Sequence, residues 1–229
     1  MTTTDTSDGH VDIRQLHDDL VALHGQPERT HSRDGVRQLL TTILSQNVTD
    51  EQTARAAEEL FETYEDYGEI ERADHDELAD VIETVGLKNQ KAERIQRSLS
   101  TIREETGGKY TLAFLDKMDT DDAKAWLSDI KGIGPKTASV VLNFHFGKAT
   151  FAVDTHVQRL ATRFGLIDDS ADNQRAHDEL ADLVPENITY SLHVLLIRHG
   201  REYCTARNPD CANPVCETYC DCEGCCSRF

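Results

Sequence analysis

The sequence predicts an all-α protein. Apolar residues recur at the three-to-four-residue spacing of amphipathic helices along most of the chain. The stretches between them carry glycine turns and Asp, Asn or Thr in capping positions. The one strand-like run, Ala149 to Val153, is too short to seed a sheet.

Residues 1–10 are rich in Thr, Asp and Ser and hold no apolar region, so the reading there is disorder without an export signal. A helix near 11–24 follows. Val36 to Leu44 has the spacing of a buried helix face. Thr49-Asp50 caps a helix from Glu51 to Tyr64, with Ala54, Ala57, Leu60 and Phe61 on its apolar side. Asp74 starts a helix through Thr84, Gly86 stops it, and Asn89 opens the next, Gln90 to Glu105. Gly107-Gly108 is a loop. Thr120 to Ile130 carries the single tryptophan, Trp126. Pro135 to Phe146, Asp154 to Phe164, Ala171 to Val184 and Thr189 to Gly200 complete the helices. The turns at 84–91 and 129–136 are loosely alike, but no solenoid-length repeat is present.

With 229 residues the chain can form one large domain or two interleaved smaller ones. Its best apolar run, Val194 to Ile197, is far too short to span a bilayer, which points away from the membrane and towards the cytoplasm. The net charge is −18, with 42 acids against 24 bases and little lysine, a balance like that of proteins from salt-accumulating halophiles. Two islands break the acidity: residues 84–109 hold six bases and three acids, and residues 131–163 hold five bases and one acid. Each begins at a glycine turn, so a polyanion held at one face is the expectation.

The second island carries the motif of most chemical interest. In Lys131-Gly132-Ile133-Gly134-Pro135-Lys136 two glycines allow a tight turn, and Pro135 suits a first helical position. Outward N–H groups at such a turn favour phosphate. Lys136 then stands beside a helix start, where the positive helix end and partial burial would favour a neutral amine, a nucleophile able to form a Schiff base. The alternative is a solvated lysine or a simple phosphate contact. Eighteen residues on comes Ala152-Val153-Asp154-Thr155-His156. Asp154 is the only acid between Lys131 and Arg163. It can cap the next helix, and a carboxylate there can also stabilise positive charge on a sugar ring. All seven cysteines lie between Cys204 and Cys226, a terminal cluster that suits a metal or iron–sulfur site better than a disulfide framework.

Gly132-Ile-Gly-Pro-Lys-Thr-Ala-Ser-Val-Val-Leu-Asn and Ala152-Val-Asp-Thr-His resemble the helix-hairpin-helix DNA glycosylases of the endonuclease III family. So do Ile43-Leu-Ser-Gln-Asn-Val-Thr-Asp50, Val85-Gly-Leu-Lys-Asn-Gln-Lys-Ala92 and His199-Gly-Arg-Glu-Tyr-Cys204. The match runs in the family's order over about residues 36–222. The resemblance implies a six-helix lobe over 36–148 and a second lobe of 11–35 plus 149–229 with a C-terminal [4Fe–4S] cluster loop. It implies a monomer that works on double-stranded damaged DNA, with the base flipped out. Lys136 and Asp154 match the family's catalytic lysine and aspartate. The expected activity is base-excision glycosylase with abasic-site lyase, removing oxidised pyrimidines. Gly132, Ile133 and Gly134 grip a phosphate, with His156 among the DNA-binding residues.

Departures from the family leave choices open. The glutamine that fills the gap of the flipped nucleotide corresponds to Asn47, with Gln46 beside it, and either could serve. Leu87 matches an apolar wedge, with Lys88 where an aromatic is common. Arg207 is the expected phosphate contact in the loop between the first cysteines, where Asn208 replaces a lysine. The family's cysteines are spaced six, two and five residues apart. Here Cys204, Cys211, Cys216 and Cys222 are spaced six, four and five, with Cys220 as a substitute for Cys222 and Cys225 or Cys226 as spares. A zinc site is the rival for these thiolates. Other rivals are a same-fold glycosylase for another lesion or mismatch, a non-catalytic hairpin DNA-binding module, and a ferredoxin-like carrier.

Overall fold

A computed structural model describes residues 11–29 and 34–220. The disorder expected for residues 1–10 and the ligand expected at Cys222 lie outside the described residues. Among the described residues every regular element is helical, and Ala149 to Val153 pairs with no strand. None of the described helices is long and apolar enough to cross a membrane.

The chain forms two compact units, one from Thr30–Thr150 and one from Met1–Arg29 with Phe151–Phe229. The first contains α2 (Gly35–Leu44), α3 (Asp50–Thr63), α4 (Tyr67–Arg72), α5 (His75–Val81), α6 (Lys88–Glu105), α7 (Thr120–Asp129) and α8 (Pro135–Val141). Helix α2 runs through its middle, with Leu39, Leu40, Ile43 and Leu44 fully buried, and packs on α3, α6 and α8. Thr49 and Gln52 form a capping box at the start of α3, where the sequence places a cap. Asn89, expected to open α6, lies inside it. The helix starts at Lys88 after Leu87, whose backbone is left-handed with φ 59°. The short α4 is not marked by the sequence pattern. Beyond α8 the chain widens into a π-turn over Leu142–Phe146. There Asn143 donates to the Thr150 carbonyl and Thr150 donates to that of Ser139, both at 2.8 Å, which folds the exit segment back on α8.

The second unit contains α1 (Ile13–His24), α9 (Thr155–Arg163), α10 (Asn173–Leu183), α11 (Thr189–Glu202) and α12 (Pro214–Tyr219). Helix α11 is its centre, packed on α1 and α9. The Tyr219 hydroxyl donates to Asp19 at 2.6 Å and ties α12 to α1. Gly200 marks the close approach of α9 and α11: a Cβ there would stand 3.1 Å from Leu160 Cδ1 and 3.2 Å from His156 Cβ. Gly200→Val is therefore expected to overpack this crossing and cost about 1–3 kcal/mol, read as a lower urea midpoint.

Candidate active site

The hairpin turn between α7 and α8 divides its two glycines by role. Gly132 has φ 98°, and a Cβ on it would meet Arg94 Cγ at 2.7 Å, so both backbone and neighbour require glycine. Gly134 has φ −91° and ψ 171°, a conformation open to any residue, with nothing within 4 Å of a built Cβ. Its missing side chain leaves open space beside the backbone. Ile133 is buried and its N–H is bonded to the Ile130 carbonyl at 2.9 Å. It anchors the turn from inside, and the turn's remaining backbone donors belong to its neighbours. Pro135 takes the first helical position as expected. Lys136 is exposed on the first turn of α8, so the partial burial expected there is absent.

The turn after α2 meets this hairpin within the same unit. Gln46 is half-buried and held at three points: its carbonyl accepts from Lys91 Nζ at 2.8 Å, its Oε1 from Arg94 Nη1 at 2.6 Å, and its Nε2 donates to Thr137 Oγ1 at 3.1 Å. Thr137 follows Lys136. Asn47 is exposed on left-handed backbone with φ 58°. Lys91 is itself buried, and its second acceptor is the Leu44 carbonyl at 2.8 Å. Burial first, and the charge of Arg94 second, pull this lysine below its ordinary value. Leu87 is 57% exposed, an apolar side chain held outward on a backbone that branched residues rarely adopt. Beside it Lys88 pairs with Asp80 at 2.5 Å.

In the other unit Asp154 caps α9. Its Oδ1 accepts from the N–H groups of His156 at 2.9 Å and Val157 at 2.8 Å. The capping role holds, and it uses one carboxylate oxygen. The approach to Asp154 is set by His177 on α10, whose Nδ1 faces the Phe151 carbonyl at 2.8 Å and whose Nε2 faces the Val153 N–H at 3.4 Å. Nδ1 thus donates to the carbonyl and Nε2 accepts from the N–H, so the ring bridges the backbone on either side of Ala152. His156 is half-buried, its Nδ1 3.1 Å from Arg159 Nη2. Arg207 is exposed on the loop after α11, which is closed by Asp210 N–H on the Tyr203 carbonyl.

Cys204, Cys216 and Cys220 are buried and Cys211 packs beside them in one apolar cluster. Arg163 Nη1 stands 2.9 Å from Cys204 Sγ, and His199 Nε2 3.4 Å from Cys216 Sγ. A hydrogen bond from Cys216, with Arg163 behind it, holds Cys204 well below the usual thiol range and pushes Cys216 up. This donor set suits a thiolate-bound cluster in its chemistry. Among the described residues, no three His, Cys, Asp or Glu side chains are assembled around one metal position. The segment between Cys211 and Cys216, an inserted link in the sequence, includes the start of α12, capped by Asn213.

The basic islands also change meaning. Of the five bases in 131–163, Lys148, Arg159 and Arg163 point at backbone carbonyls, those of Met118, of Cys204 and Gly200, and of Thr205. Lys131 and Lys136 are exposed. Much of the local positive charge thus holds loops in place. Lys91, Arg94, Arg159, Arg163 and His177 were not given roles by the sequence; membership of the islands was the one signal available for the three arginines, Lys91 also lay within the Val85–Ala92 motif, and His177 had no signal. The two glycines give a direct test. Gly132→Ala should lose about 1–3 kcal/mol of stability through backbone strain, whereas Gly134→Ala should stay within about 1 kcal/mol of the parent in thermal melts. If a phosphate sits in the open space, Gly134→Ala should nonetheless weaken duplex binding.

Residues 40–186 match the family described as HhH-GPD superfamily base excision DNA repair protein. The chain is 32% identical over 195 residues to endonuclease III of Thermotoga maritima, covering 85% of this chain and 86% of that one. It is 34% identical over 184 residues to endonuclease III of Sulfolobus acidocaldarius, covering 80% and 79%. A solved structure of a trapped endonuclease III–DNA covalent intermediate superposes with a TM-score of 0.77 at 26% identity, over 91% of this chain and 94% of that one. The family match spans both the glycine hairpin that launches Lys136 and the aspartate that caps α9, and on that match and those identities the chain belongs to the endonuclease III family of HhH-GPD base excision DNA repair proteins.

Proposed function

We propose that this protein is a bifunctional DNA glycosylase and abasic-site lyase that removes oxidised pyrimidines from double-stranded DNA through Lys136. The observation that carries the reading is Lys136 itself: an exposed primary amine one residue into a helix, directly after a turn with open space beside Gly134. The Lys136 amine forms a bond to C1′ of the flipped nucleotide as the C1′–base bond breaks, and the base departs with that electron pair and a proton. Opening of the sugar ring gives a Schiff base. Loss of a C2′ proton then supplies the electrons that expel the 3′ phosphate. Asp154 stabilises the positive charge that develops on the sugar, through the oxygen not used in the cap. Asn47 and Leu87 enter the duplex, and Gly132, Gly134, His156 and Arg207 hold its backbone.

The cysteines Cys204, Cys211, Cys216 and Cys222 would hold a [4Fe–4S] cluster, with Cys220 as the alternative fourth ligand. Such a group, when bound, braces the loop that carries Arg207. The acidic surface further suits a monomeric enzyme working in the cytoplasm at high salt, where the Debye length falls to about 3 Å and the body of the protein repels DNA little.

Lys136→Ala should abolish borohydride trapping on abasic duplex, at least a hundredfold below the parent, while duplex affinity changes little. Persistent trapping would reject the assignment. Purified protein should carry iron and absorb in the visible, and Cys204→Ser should remove both.

A further inference from the structure

We propose that Arg94 is a positioning residue that withdraws Gln46 from the DNA-facing surface, presents Asn47 in its place, and locks both to the hairpin that carries Lys136. The proposal rests on the glycosylase reading above and adds to it a residue outside every motif recognised in the sequence. Arg94 lies half-buried on α6, with its stem against Gly132, close enough that a Cβ there would reach 2.7 Å from Cγ. From that position its Nη1 donates to Gln46 Oε1 at 2.6 Å. The other end of the same amide donates to Thr137 Oγ1 at 3.1 Å, and the Gln46 carbonyl is taken by Lys91. Both ends of the glutamine amide and its backbone oxygen are therefore committed inward.

The consequence falls on the next residue. A backbone held this firmly at Gln46 turns through left-handed φ at Asn47, a conformation asparagine tolerates better than most residues. Asn47 is exposed, and among the described residues none of the turn's hydrogen bonds uses its side chain. Its amide is left with two donors and an acceptor for a base edge. Arg94 is thereby an internal tie, not a phosphate contact: it joins the turn that meets the orphaned base to the turn that holds the phosphate. Thr137 extends the same tie to the residue after Lys136.

The test uses the full chain, a duplex with an uncleavable tetrahydrofuran abasic analogue, and the undamaged duplex of the same sequence, with affinity read by fluorescence anisotropy. Asn47→Ala should lose about five- to tenfold on the abasic-analogue duplex, the size of one hydrogen-bonded contact, and nothing on the undamaged one. Arg94→Ala and Gln46→Ala should each lower the preference for the abasic analogue, and the double variant should be no worse than the worse single, because the two act as one unit. Arg94→Ala should leave the slope of log affinity against log salt unchanged, whereas a phosphate contact would reduce it by about 1. Arg94→Lys, which keeps a donor and tests folding, should retain most of the preference. Additive losses for Arg94→Ala and Gln46→Ala, a reduced salt slope, or an Asn47→Ala variant that binds both duplexes like the parent would each overturn the proposal. A parent protein that is not trapped on abasic DNA and shows no preference for the abasic analogue would instead overturn the glycosylase reading on which it rests.

Discussion

An ammonium taken out of water must find oxygens, and in this protein that requirement organises the unit that carries Lys136. Lys91 is buried on α6, and its acceptors are the carbonyls of Leu44 and Gln46, where α2 ends. Leu44 is among the last carbonyls of that helix, which lack partners within it. One buried charge thus caps α2, docks α6 against it and fixes the path of the chain towards Asn47. Arg94 stands three residues further on, on the same helical face, and inherits that geometry. It can reach Gln46 because Lys91 has already brought the turn to α6, and it can lie along Gly132 because that position has no side chain.

The second unit follows the same logic with other residues. Arg159 spans from α9 to the carbonyls of Gly200 and Cys204, and Arg163 continues to Cys204 and Thr205. His177 brackets the backbone on either side of Ala152, just ahead of Asp154. In a chain with 24 bases against 42 acids, Lys91, Lys148, Arg159, Arg163 and Arg198 are turned on main-chain carbonyls. Exposed pairs such as Arg55–Glu59 and Arg175–Glu179 stabilise little in comparison, and less still in salt. Ties to neutral carbonyls are shorter-ranged and partly buried, so salt screens them less. The loops at Gly200, Cys204 and Thr205 are thereby fastened by interactions that depend less on ionic strength than the exposed pairs do.

Most of the helices were legible in the sequence because a helix buries one stripe of its own residues, and that stripe repeats every 3.6 positions. Caps such as Thr49 and Asp154 were legible for a similar reason, since the cap and the N–H groups it serves are two or three residues apart. The start of α6 was misplaced at Asn89 because an asparagine there looks like a cap, while the helix begins from a left-handed Leu87. The short α4 and α12 hold too few turns for a period to register. Gly132 and Gly134 look alike as letters and differ only in their dihedral angles.

By itself the sequence determined the helical class, the hairpin with its lysine, the aspartate that caps α9, and the family to which these belong. Each of those rests on residues near one another along the chain. Tertiary structure alone decided that Gln46 is drawn inward while Asn47 faces out, and that most bases of the second island serve the backbone. The physical reason is separation: Gln46 meets Arg94 across 48 residues and Thr137 across 91. Lys91 reaches Leu44 across 47. No local pattern encodes a partner at such a distance; only the packing of α2, α6 and α8 brings those atoms within a hydrogen bond of one another.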